Sequence, residues 1–159
     1  MRIPLRPAST RHALGLCALA LAGLAPAAPG AAQEASTTLP RIALRVGAHA
    51  LRVEVARTPD ERQRGLMGRQ RLGESDAMLF VFPDPLRQCF WMRDTLVALS
   101  VAFIADDGEI VDIADMAPRT DTPHCPSRPV RYVLEVNRGW FAQRGVRAGA
   151  AVLGEPFTR

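Results

Sequence analysis

The chain has 159 residues, of which 48% are apolar and 23% charged, with 20 basic residues against 16 acidic ones. This length predicts one domain, and the composition excludes a disordered chain, a coiled coil and a polytopic membrane protein. Every basic residue is Arg, and Arg2, Arg6 and Arg11 precede the first acidic residue. Beyond residue 32, 17 Arg face 16 acids, so the excess positive charge belongs mainly to the N-terminus and does not indicate a nucleic-acid partner.

Residues 1–32 have the pattern of a secretory signal peptide, with basic residues followed by a run rich in Ala and Leu. The run is about 16 residues long, which is shorter than the roughly 20 that a membrane-spanning helix needs. We therefore expect cleavage near Ala32 and a periplasmic or secreted protein without a stable membrane span; an uncleaved N-terminal anchor is the alternative. A flexible tether is predicted over residues 33–40 and a single β-rich domain over 41–159.

The first half of the domain is predicted to start with a hairpin. Alternating apolar residues span 41–55 and are interrupted by a turn at Gly47. The segment Thr58-Pro59-Asp60-Glu61 predicts the N-terminus of a short helix with a capping box. A continuously apolar run at 78–82 follows, and Pro83 is expected to end it.

The second half continues with an apolar run at 90–92 and a hairpin over 101–113 that turns at 106–108. An irregular proline-rich loop is predicted over 117–129 and a strand over 130–136. A brief helix over 140–144 and a last strand at 152–153 end the domain. Seven or eight short strands with two short helices predict a mainly β fold. The architecture is either a small β-sandwich or a partly open barrel.

Trp91 is the first candidate for a binding residue. In an extended segment its side chain points opposite to those of Phe90 and Met92, so one face of the segment is available to line a cleft. In one interpretation Trp91 forms the floor of this cleft, and Asp94 and Thr95 supply polar contacts to a ligand. In the other, Trp91 is a plug between two sheets, and Asp94 and Thr95 only turn the chain.

Glu135 interrupts an otherwise apolar strand, on the face opposite to Tyr132, Leu134 and Val136. A buried carboxylate in a cleft is a candidate general base. The alternatives are an ion pair with an Arg such as Arg64 or Arg69, or a charge that faces the solvent.

Cys89 and Cys125 are the cysteines of the mature chain, and an even pair in an oxidising compartment indicates a disulfide. Two unpaired thiols and an intermolecular bridge are the alternatives.

Five blocks in the same order resemble domain-of-unknown-function family 192, namely Arg64-Gly65-Leu66-Met67, Ala77-Met78-Leu79-Phe80, Phe90-Trp91-Met92-Arg93-Asp94-Thr95, Phe103-Ile104 with Asp107-Gly108, and Tyr132-Val133-Leu134-Glu135-Val136. The resemblance covers nearly all of the mature domain. It implies a small, β-rich, jelly-roll-like domain that is often exported and whose activity is not established.

The residues favour a binding or accessory module of the cell envelope that takes a small ligand, a glycan or a partner protein into a cleft. Its tentative site comprises Trp91, Asp94, Thr95, Glu135, Arg64 and Met67. The alternatives are a hydrolase that acts on envelope polymers through Asp94 or Glu135, and a purely structural partner domain. No catalytic residue is assigned. No cofactor or metal is expected, because the sequence carries no His cluster and no established metal or phosphate motif.

Overall fold

The computed structural model describes residues 38–157, which lie in one compact unit. The predicted signal peptide and residues 33–37 of the predicted tether lie outside the described residues. Within residues 38–157 the fold is mainly β, with seven strands and two short helices, as the sequence predicts. None of the helices in this part is long and apolar enough to cross a bilayer.

The elements follow the predicted order, and their bounds are β1 Arg41–Val46, β2 His49–Ala56, α1 Pro59–Arg64, β3 Asp76–Leu86, β4 Leu99–Ile104, β5 Ile110–Met116, β6 Val130–Asn137, α2 Trp140–Gln143 and β7 Val152–Leu153. All of these strands belong to one sheet with the order β5-β4-β6-β3-β2-β1-β7. Among them only β2 and β3 pair in parallel.

The sheet curls into a half-barrel, and its two edges approach each other at one end. The amide of Ile110 donates to the carbonyl of Ala150 at 2.9 Å, and the amide of Val152 donates to the carbonyl of Gly108 at 2.9 Å. Backbone hydrogen bonds therefore join the start of β5 to the segment that carries β7. The partly open barrel, one of the two predicted architectures, is confirmed.

Both faces of the sheet are buried, because consecutive residues of a strand point to opposite sides. One face belongs to the first cluster, which includes Leu44, Val53, Leu79, Leu134, Val136 and Trp140. The other face belongs to the second cluster, which includes Met78, Phe80, Met92, Val101, Phe103 and Val133. Burial on both sides explains why β3 begins as a continuously apolar run instead of an alternating one.

The parallel pairing of β2 and β3 forces the chain to leave the sheet and return. The connection, residues 57–75, carries α1 and is called the roof segment below. Its first turn holds the predicted capping box, in which the Thr58 hydroxyl accepts from the Glu61 amide at 3.2 Å and the Glu61 carboxylate accepts from the Thr58 amide at 2.8 Å. The capped helix lies on the side of the second cluster, to which Leu66 belongs.

Two predicted boundaries differ from the structure. Strand β3 continues through Pro83 to Leu86, because its pairing with β6 loses register between Val81 and Leu86 and the exposed proline is not required to donate there. The apolar run at 90–92 forms no strand, and its ladder contact is a single bridge between Phe90 and His124.

Candidate functional site

A cavity of about 890 Å³ opens on the side of the second cluster, between the roof segment, strands β3 and β6, and residues 88–95. This volume is typical of small-molecule sites. All six tentative site residues line it, namely Arg64, Met67, Trp91, Asp94, Thr95 and Glu135. The structure thus brings together residues that are up to 71 positions apart in sequence, from 64 to 135. That they bind a ligand stays a prediction.

The roof of the cavity is held against β3 by two contacts of α1. Gly65, which ends the helix, has φ 46°, and a Cβ there would lie 3.1 Å from Cζ of Phe80. A side chain at this position would therefore push the roof away from the floor. Arg62 donates to the carbonyl of Val81 at 3.1 Å, and its guanidinium carbon lies 4.9 Å from the centre of the Phe82 ring.

One wall of the cavity is formed by residues 88–95, called the wall segment below. The amide and carbonyl of Phe90 pair with the carbonyl and amide of His124 at 2.8 and 2.7 Å, and the Met92 amide donates to Thr120 at 2.9 Å. A disulfide joins Cys89 to Cys125 across a separation of 36 residues. The predicted intramolecular disulfide is confirmed, and it fastens the cavity wall to the proline-rich loop.

Trp91 stands at the mouth of the cavity with half of its surface exposed (50%), whereas Met92 beside it is fully buried. The alternation predicted for this segment is therefore correct. The plug interpretation is wrong, because the described strands form one sheet and leave no second sheet for Trp91 to pack against. Phe90 points inward instead and contacts Phe80 edge to face, with ring centres 4.9 Å apart.

Glu135 contributes the buried carboxyl group of the cavity. Its register partners are Met78 on β3 and Val101 on β4, and only 5% of its surface is exposed. Its carboxyl group forms no hydrogen bond or ion pair within residues 38–157. No fully buried side-chain oxygen of these residues lacks a partner, so the carboxyl oxygens remain reachable from the cavity. Burial raises the pKa of Glu135 to about 8, so the group is mostly protonated at neutral pH.

The ion pair predicted for Glu135 with Arg64 or Arg69 is wrong, and so is the solvent-facing alternative. Arg69 bonds to Glu54, which projects from β2 on the same face of the sheet. Arg64 is exposed on the cavity wall and forms no ion pair with any described residue. The roof segment therefore places the half-buried Arg69 against Glu54 and leaves Glu135 without a counter-ion.

Thr95 is the second buried polar residue of the cavity, with 5% exposure. Its amide donates to Met92 at 3.0 Å and its carbonyl accepts from Arg119 at 3.1 Å, while its hydroxyl forms no hydrogen bond within the described part of the chain. Asp94 before it is exposed and has φ 57°, and its carbonyl accepts from the Gly68 amide at 2.9 Å. This bond joins the wall segment to the roof segment.

Sequence reasoning missed part of the cavity lining. Phe80 and Phe90 were expected only in the fold, and Arg62 and Phe82 were not singled out, yet all four line the cavity. The capping box was the available signal for Arg62, because it fixes where α1 begins and hence which residues its first turn presents.

A β half-barrel whose crossover helix roofs a cavity on one face of the sheet is the class of protein that the fold and the site define. The chain belongs to domain-of-unknown-function family 192 (DUF192), described as "Uncharacterized ACR, COG1430", whose model matches residues 42–154. The family resemblance seen in the sequence is confirmed.

Two solved structures are similar to this chain. One, from Sinorhizobium meliloti 1021, is described as a candidate transcription regulator; it is 32% identical with a TM-score of 0.73, and the match covers 76% of this chain and 98% of that one. The other, a protein of unknown function from Novosphingobium aromaticivorans DSM 12444, is 34% identical with a TM-score of 0.72, with 75% and 89% covered. No curated protein matches the chain.

Proposed function

We propose that the protein is an exported binding module of the cell envelope that takes a small ligand into the cavity beside Trp91. One observation carries the proposal: the buried carboxyl group of Glu135 borders the cavity without any partner among the described residues. Its carboxyl oxygens are reachable from the cavity, where a ligand that hydrogen-bonds to them gains about 0.5 to 1.5 kcal/mol per bond.

The remaining lining fits the anatomy of a ligand site, which combines apolar surface with a few placed polar groups. Phe80, Phe82 and Phe90 supply apolar walls. The Thr95 hydroxyl supplies a second polar group, in addition to the Glu135 carboxyl group. The half-exposed Trp91 provides a large flat surface at the entrance, where a ligand would cover it.

Export is supported by the N-terminal sequence pattern and by the disulfide between Cys89 and Cys125, since such bonds persist mainly in oxidising compartments. We expect the mature protein to begin near Gln33 and to be recovered from the periplasmic or secreted fraction. Intact-mass measurement of the native protein tests this, and a full-length mass in the membrane fraction contradicts it.

A hydrolase is the second candidate, and a specific observation favours it. Three carboxyl groups line the cavity, and two of them, Glu135 and Asp94, lie in unlike surroundings: burial keeps Glu135 protonated, whereas Asp94 is exposed to water. Two carboxyl groups in unlike surroundings are what glycoside hydrolysis uses. Turnover of an envelope polysaccharide that is lost in both Glu135→Gln and Asp94→Asn would establish this candidate in place of the first.

The Sinorhizobium structure described as a candidate transcription regulator does not lead us to propose a nucleic-acid ligand. Residues 38–157 contain 16 Arg against 15 acidic residues, a net charge of +1. DNA-binding domains concentrate a clear excess of positive charge on one face.

A thermal-shift screen of small polar and amphipathic compounds tests the binding module. We expect at least one compound class to raise the melting temperature of the wild type and to lose this effect in Glu135→Gln. The matched control is Glu74→Gln, which makes the same chemical change at an exposed residue that pairs with Arg144 away from the cavity lining. Equal shifts in the wild type and in Glu135→Gln would remove the cavity from the proposal.

A further inference from the structure

We propose that the cavity selects organic cations, an alkylammonium or similar group attached to a hydrocarbon body, and that Glu135 gives up its proton when the cation binds. The inference rests on the proposed function and names the ligand class of that same site.

No positive charge of the protein is paired with Glu135. The cavity lining holds Arg62, Arg64 and Arg93 together with Asp60, Asp94 and Glu135. Arg93 pairs with Asp121 at 2.8 Å, and the Arg62 guanidinium lies over the Phe82 ring. Arg64 is exposed, and no described Arg forms an ion pair with Glu135. A single positive charge on the ligand supplies the missing partner.

Other charged groups on the same face are already engaged. On β2, Glu54 is bonded to Arg69 and Arg41. On β6, Arg131 donates to the carbonyl of Phe82 at 3.1 Å and lies 5.7 Å from the Tyr132 ring centre. Neither register neighbour of Glu135, on β3 or on β4, carries a charge. These groups therefore do not compete with a cation for Glu135, and Arg64, which lines the cavity without an ion pair, is exposed.

The aromatic lining suits a cation better than an anion. Phe80, Phe82, Phe90 and Trp91 all border the cavity, and the faces of aromatic rings attract positive charge. The protein itself uses this attraction, since the Arg62 guanidinium lies over the Phe82 ring at 4.9 Å. An anion would gain no such attraction from the rings and would oppose the ionisation of Glu135.

Proton release follows from the burial of Glu135. Without a ligand the carboxyl group holds its proton at neutral pH because ionisation in the cavity is unfavourable. A bound cation stabilises the carboxylate, and the displaced proton passes to the buffer. Only the O–H bond of the carboxyl group breaks, and a new bond to the proton forms on the buffer, so one positive charge enters the cavity and one proton leaves it.

The experiment uses three probes that share a phenyl ring and differ in the charge of the attached group: the cation benzyltrimethylammonium, the neutral benzyl alcohol and the anion benzoate. Isothermal titration of the mature protein is performed at about pH 6 and about pH 9, in two buffers of different ionisation enthalpy, so that released protons are counted. If the cation binds only the ionised form, its affinity rises roughly 90-fold between these pH values, in proportion to the ionised fraction of a group with a pKa of about 8. Close to one proton is released at the lower pH.

Two variants and a control locate the effect. Glu135→Gln, which cannot ionise, is expected to lose cation binding and all proton release. Trp91→Leu is expected to weaken the binding of the cation severalfold, while the number of protons released per bound cation stays at one. Glu74→Gln, which does not change a lining residue, is expected to behave as the wild type. The pH dependence of the wild type is informative even if Glu135→Gln folds poorly.

The possible failures are distinguishable. Benzyl alcohol binding as tightly as the cation, without proton release, overturns the inference and leaves a ligand cavity as proposed. Tighter binding of benzoate than of benzyltrimethylammonium, with an affinity for benzoate that falls as the pH rises, also overturns the inference and assigns the site to anions. No binding of benzyltrimethylammonium at either pH overturns it, while the wider thermal-shift screen decides whether the cavity binds any ligand.

Discussion

Glu54 and Glu135 lie on the same face of one sheet, on either side of Met78, yet their surroundings are opposite. With neighbouring strands about 4.8 Å apart, roughly 10 Å separates their backbones. Partial burial pushes the pKa of Glu54 upward, but hydrogen bonds from Arg69 and Arg41 outweigh burial and hold that pKa below its ordinary value. Glu135 has burial alone, which raises its pKa to about 8.

The difference originates in the roof segment. Arg69 reaches Glu54 from the end of this segment, whereas the part of the roof above Glu135 leaves a cavity. Two carboxyl groups in similar positions thus have different surroundings, because Arg side chains pair with one and not with the other. Glu54 is held in ion pairs, whereas Glu135 is left for the ligand that we propose.

The largest effect that sharpens this comparison is the pH dependence of stability. For Glu135, whose pKa is raised on folding from 4.5 to about 8, the contribution to stability is fully present below pH 4.5 and is lost as the pH rises toward and through 8. The loss is roughly 5 kcal/mol over the whole range, from 1.36 kcal/mol per pKa unit. Glu54, with a lowered pKa, contributes in the opposite sense: its stabilisation is present above its unfolded pKa and is lost as the pH falls through the folded one.

Chemical denaturation of the wild type and Glu135→Gln across the pH range measures this effect, because subtraction of the two curves removes every other titrating group. A difference that stays flat between about pH 5 and 9 contradicts the account of Glu135.

The second effect separates the two regions by their dependence on the disulfide. Reduction of Cys89–Cys125 should lower the free energy of unfolding by roughly 3 to 4 kcal/mol, the chain-entropy estimate for a loop of this size. Amide hydrogen exchange should accelerate in the wall segment, at Phe90 and Met92, and stay slow in β2 near Glu54. A denaturation curve and an exchange map of the reduced protein provide the measurement, and uniform acceleration would contradict it.

The third effect is the loss of stability that we expect when Glu54 is replaced. Glu54→Gln should cost about 1 to 2 kcal/mol, since charged hydrogen bonds contribute this much when partly shielded and Arg41 is largely exposed. A double-mutant cycle with Arg69→Met should give a coupling energy of similar size. The same cycle between Glu135→Gln and Arg64→Met should show no coupling, and coupling there would show that Arg64 does pair with Glu135.

The smallest effect concerns Trp91. Because half of its surface is already hydrated, Trp91→Ala should cost about 1 kcal/mol instead of the 3 to 5 kcal/mol typical of a buried aromatic residue. Acrylamide should quench its fluorescence strongly when Trp140, which is 2% exposed, is replaced by Phe to isolate the signal. Protection of Trp91 from the quencher would place it inside the core.

Much of the fold was predictable because its strands obey local rules. The alternation in β1, β2 and β6, the Asp-Asp-Gly turn between β4 and β5 and the capping box before α1 depend on neighbouring residues alone. The extension of β3 past Pro83 was not predictable, since it depends on a loss of register with β6 that no local pattern records.

The sequence was enough to name residues that line the cavity, but not to predict the contacts they make there. Trp91, Asp94 and Thr95 share one segment, and Glu135 is conspicuous as a lone acid in an apolar strand. The ion-pair partner of Glu135 could not be inferred, because the roof segment decides which carboxylate an Arg reaches, and its path follows from the parallel pairing of β2 with β3.

That parallel pairing has a consequence for how such a protein diversifies. The roof is a connection whose two ends are fixed by β2 and β3, whereas the floor is set by the ladder of β3 with β6. Length and sequence can therefore change between residues 57 and 75 without shifting any strand, as is usual for loops mounted on a rigid scaffold. Exchanging this one stretch between members of the family is accordingly the simplest way to change the lining of the cavity while the sheet stays unaltered.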